Sequence, residues 1–69
     1  DALLEAVLRK HAESRQLYLS EAVIAYMVPR MERSLAAAET MVRKLDHASY
    51  RQQKRVTVPF ARSVMEESS

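Results

Sequence analysis

The sequence predicts an all-α fold: a small bundle of three to four helices with a minimal two-segment β bridge. Three observations carry this. Apolar residues recur at the i, i+3, i+4 spacing of amphipathic helices over most of the chain. Glycine is absent and proline occurs only at 29 and 59, which disfavours a turn-rich β fold. A hydrophobic content of 48% in 69 residues indicates a packed core rather than disorder. A chain this short buries only about 60% of its unfolded surface and stands near the margin of independent stability. Residues 1–69 are therefore read as a single domain, and the start at Asp1 without an initiator methionine is read as a piece of a longer chain.

The first helix is expected over 2 to about 14, with Leu3, Leu4, Val7, Leu8 and His11 or Ala12 inward and Glu5, Arg9, Lys10 and Glu13 outward. Leu17-Tyr18-Leu19 breaks the period and alternates as an extended piece would. Ser20 is a good N-cap, and Glu21 sets negative charge at the positive end of the next helix. That helix, about 21 to 31, should bury Val23, Ile24, Met27 and Met31, with Tyr26 at an edge, and should end or kink near Pro29.

Ser34 caps the third helix, about 35 to 51, whose inner stripe is Leu35, Ala38, Met41, Val42, Leu45 and Ala48. Glu39 and Arg43 form an i,i+4 pair outside. After a polar connector, Val56-Thr57-Val58 is short and β-branched; it is expected to bridge to 17–19. Pro59 suits the first turn of a last helix with Phe60, Ala61, Val64 and Met65 inward, and Glu66 to Ser69 should fray.

Composition narrows the function classes. Without cysteine there is no disulfide or thiolate metal site, which fits a cytoplasmic protein. No apolar run approaches the roughly 18 residues of a membrane span and no signal peptide opens the chain, so no membrane partner is expected. The net charge of +2 permits nucleic-acid contact without predicting it. No glycine means no phosphate-cradling loop, and His11 and His47 stand on different helices without a carboxylate at ligand spacing. No catalytic residue, metal ligand or cofactor is expected in this chain, which alone should not be an enzyme. Arg43, Lys44, Arg51, Lys54 and Arg55 gather near the end of the third helix, as a solvated face or an anionic contact.

The order of elements from Ser34 to Met65 resembles the lid, the helical C-terminal domain of the AAA+ module, in DnaA and its relative Hda. Leu45-Asp46-His47-Ala48-Ser49 resembles the L-D-x-A-S stretch of Hda-type proteins, and Val56-Thr57-Val58-Pro59-Phe60 their strand-to-helix junction. Laid on the initiator pattern N-V-R-E-L-E, Ser34-Leu35-Ala36-Ala37-Ala38-Glu39 puts Ala36 where the nucleotide-sensing arginine, sensor II, usually stands. A lid lacking that arginine looks more like an Hda-type regulator, which promotes inactivation of ATP-bound DnaA, than like an initiator.

The resemblance implies a AAA+ ATPase-family parent that binds ATP or ADP with Mg²⁺. It further implies that Arg30 and Arg33 lie near the nucleotide, Arg33 as a substitute for the missing arginine. The implied partners are the parent's own AAA+ core, DnaA, and the sliding clamp through a segment N-terminal of Asp1. A lid separated from its core would expose apolar surface and is expected to form a homodimer, with Pro29, Ala36 and Ala37 in the contact. The alternatives are the lid of a DnaA initiator, or a free-standing helical module that binds DNA or protein.

Overall fold

The computed structural model describes residues 2–67. Four helices follow one another: α1 (Ala2–Ser14), α2 (Glu21–Met27), α3 (Leu35–Gln52) and α4 (Val58–Glu67). α1 packs along α3, and α4 packs against both α2 and α3. One core fills the space between them. Leu8, Val23, Ile24, Met27, Val42 and Leu45 are its largest fully buried side chains. Ala38 and Ala61 are fully buried too, small enough to let backbones approach.

Each of the last three helices opens on a hydroxyl cap that accepts from the amide three residues on. Ser20 Oγ takes Val23 N–H at 3.3 Å, Ser34 Oγ takes Ala37 N–H at 3.0 Å and Thr57 Oγ1 takes Phe60 N–H at 3.3 Å. α2 stops early, at Met27, because Pro29 cannot donate; Met31 still reaches the core from the turn beyond. α4 runs to Glu67, so Glu66 and Glu67 are helical rather than frayed; Ser68 and Ser69 lie outside the described residues.

The expected β bridge between 17–19 and 56–58 does not form: no strand or bridge occurs among the described residues. The alternation was informative about burial only. Leu19 and Val56 point into the core while Tyr18 points out, yet the backbone of both segments is engaged in helix ends. Leu17 N–H donates to Ala12 C=O at 2.8 Å, Lys54 N–H to Ser49 C=O at 3.2 Å, and Thr57 C=O accepts from Ala61 N–H at 2.8 Å. Thr57 is a cap, not a strand residue.

Leu3 and Leu35 are also not core residues. They are 68% and 61% exposed, each at the edge of its helix's apolar stripe. Val7, Met41 and Phe60 are only partly buried against the core.

α1 and α3 both end in the left-handed conformation, at Gln16 (φ 57°) and Gln53 (φ 53°). At the first, Gln16 N–H bonds Glu13 C=O and Leu17 N–H bonds Ala12 C=O, the paired pattern of a Schellman end. That backbone favours glycine, and a residue with a Cβ costs about 1–2 kcal/mol there. Glycine's greater freedom in the unfolded chain returns part of this. Gln16→Gly and Gln53→Gly should each raise stability by about 0.5–1 kcal/mol, or several degrees in Tm. Thermal unfolding followed by circular dichroism checks this, and a fall in Tm for both variants would contradict it.

Candidate functional site

The turn between α2 and α3 and the first turns of α3 form an open depression of about 670 Å³, lined by Arg30, Ser34, Ala36, Thr40, Lys44 and Met65 among others. Ala36 sits exposed on the first turn of α3, with only a methyl to offer. Arg30 folds back on α2: its Nη1 donates to Tyr26 C=O at 2.7 Å, and its guanidinium lies 4.0 Å from the Tyr26 ring centroid. It thus satisfies a carbonyl at a helix end and gains a cation–π contact. Arg33 lines a separate, smaller cleft of about 170 Å³ with Leu3, Leu4, Ser34 and Leu35. The structure therefore brings Arg30 and Lys44 beside Ala36, and leaves Arg33 next to the exposed leucines.

The five-residue basic cluster divides three ways. Arg43 faces Glu39 at 3.9 Å on the outer side of α3. Lys44 and Arg51 border a groove with His47, Val64 and Glu67 between α3 and α4. Lys54 and Arg55 line a depression of about 590 Å³ with Leu17, Tyr18, Ser49, Gln53 and Val56. Among the described residues, ion pairs form at Arg9 with Glu5 and Glu21, at Arg15 with Asp46 and at Arg62 with Glu66, besides Arg43 with Glu39. Lys44, Arg51, Lys54 and Arg55 have no ion-pair partner among the described residues. The Arg62 guanidinium is held above its ordinary value by the hydrogen bond it donates to Glu66 and by that carboxylate's charge.

Three positions that the structure singles out escaped the sequence reading. Ser49, in the L-D-x-A-S stretch, donates its hydroxyl to Lys54 C=O and accepts Lys54 N–H on its own carbonyl, which pins the connector after α3. Asp46 of the same stretch pairs with Arg15 at 3.4 Å, tying the end of α1 to α3. The other missed position is Tyr18, 79% exposed beside Lys54 and Arg55; its signal was the Leu17-Tyr18-Leu19 alternation, which sends the ring outward.

Among the described residues no group of three or more His, Cys, Asp or Glu side chains is placed to hold a metal. No helix is long and apolar enough to cross a membrane. The fold is a small all-α bundle of four helices, with a small-residue edge at one end of α3 and, at the other, cations that have no ion-pair partner among the described residues. The chain belongs to the Hda lid domain family, whose model matches residues 1–65. Neither curated proteins nor solved structures returned a match. A lid of this kind is not itself a catalytic unit.

Proposed function

We propose that this domain is the lid of a DnaA-related AAA+ protein that regulates replication initiation by promoting inactivation of ATP-bound DnaA. The match to the Hda lid over residues 1–65 carries this reading. Ala36 supports the regulatory branch: a methyl supplies neither charge nor donor to a phosphate, so this lid contributes little to sensing nucleotide at that position. In this reading residues 1–69 belong to a longer protein whose AAA+ core binds ATP or ADP with Mg²⁺. The exposed Leu3–Leu35 patch is apolar surface suited to packing on that core. Arg30 and Lys44 share a depression with Ala36 and are the cations that could take over the missing charge there.

The test adds the intact parent protein to ATP-loaded DnaA and follows hydrolysis of the bound nucleotide. Acceleration is expected, reduced by Leu3→Asp/Leu35→Asp, which introduces charge where the core should pack. Unchanged hydrolysis over the whole concentration range would overturn the regulatory assignment.

A further inference from the structure

The depression formed by the connectors 17–20 and 53–56 has no role in the lid reading, and its chemistry is distinctive. Tyr18 presents an almost free aromatic face at 79% exposure. Lys54 and Arg55 line the same depression and have no ion-pair partner among the described residues. Its floor is apolar, from partly buried Leu17 and buried Val56. An aromatic face with an apolar floor suits a planar base, and two free cations suit the phosphates on either side of it. We propose that this depression binds single-stranded nucleic acid, with one base stacked on Tyr18 and the adjoining phosphates held by Lys54 and Arg55.

Both walls are held by hydrogen bonds and by side chains buried in the core. Leu17 N–H is bonded to Ala12 C=O at 2.8 Å, and Leu19 anchors the first connector in the core. The second is pinned at Lys54 by two bonds to Ser49 and anchored by buried Val56. Little ordering is therefore needed on binding, which favours affinity. The carbonyl end of α3 lies here and opposes an anion, but its charge of about −0.5 is outweighed by two full positive charges. At about 590 Å³ the depression has room for a nucleotide.

The experiment measures fluorescence anisotropy of a labelled oligothymidylate with the protein at several salt concentrations. Tyr18→Ala should weaken binding by about tenfold, the loss typical of one stacked base, while Tyr18→Phe should retain it. Lys54→Glu and Arg55→Glu should each weaken binding at least as much and lower the salt slope by about 0.7 per lost phosphate contact. Lys10→Glu, an equal charge change at an exposed residue of α1 that does not line the depression, should leave affinity within about twofold. Circular dichroism confirms that each variant is folded. No binding by the wild-type protein would overturn the proposal. So would equal losses for Lys10→Glu and Lys54→Glu, indifference to Tyr18→Ala, or preferential binding of a duplex or an acidic peptide.

Discussion

Leu45→Ala should unfold or nearly unfold this domain. Leu45 is fully buried at the middle of α3, in the cluster shared by all four helices. Truncating a buried leucine costs about 2–5 kcal/mol, from lost transfer free energy and the cavity left behind. A domain of this size has only about 3–10 kcal/mol in total. The surrounding side chains are held by helices fixed at both ends, so the cavity closes poorly and the upper half of the range is expected. Leu35→Ala is the matched control: the same atoms are removed, on the same helix, from a side chain 61% exposed. Its cost should stay below about 1 kcal/mol. Chemical denaturation of both variants reads the difference, and equal losses would show that α3 turns a different face to the core.

The second large effect is a gain. Ala36→Arg in the intact parent should tighten ATP and ADP binding by about 1.5–3 kcal/mol, the contribution of a charge-assisted hydrogen bond. The position is exposed at the start of α3, and arginine is nearly as good a helix former as alanine, so folding should be little changed. Arg30→Ala should weaken binding by less, because Arg30 must give up its contacts with Tyr26 to reach a phosphate. Isothermal titration with both nucleotides measures all three proteins. An Ala36→Arg variant that binds as wild type does would remove Ala36 from the sensor position.

Helices and caps were legible in the sequence because they are local. Ser20 and Ser34 each precede an apolar period, and the structure uses both as N-caps. Thr57 was hidden because Val56-Thr57-Val58 carries β-branched propensity, and propensity yields to a cap when the flanking valines can pack by other means. Leu3 and Leu35 were misplaced for a related reason. A stripe at helical spacing is wider than the face that finally packs, and its edge residues are decided by the neighbouring helix. The candidate site was legible residue by residue but not in its grouping. Arg30 and Arg33 are three positions apart across a turn, so which of them shares a depression with Ala36 depends on the backbone path after Pro29. Tyr18 and the Lys54–Arg55 pair meet only through the fold.

The claim that this domain works as the lid over a nucleotide-binding core is tested most directly by amide hydrogen exchange of the intact parent with and without ADP. The first amides of α3 have no intrahelical acceptor, and of these Ala37 alone is taken by the Ser34 cap. The amides of Leu35 and Ala36 should therefore exchange quickly in the open state and report docking sensitively. ADP is expected to slow exchange across residues 30–40 and to leave residues 50–56, at the far end of α3, unchanged. Equal exchange across 30–40 with and without ADP, in a parent shown to bind the nucleotide, would contradict it.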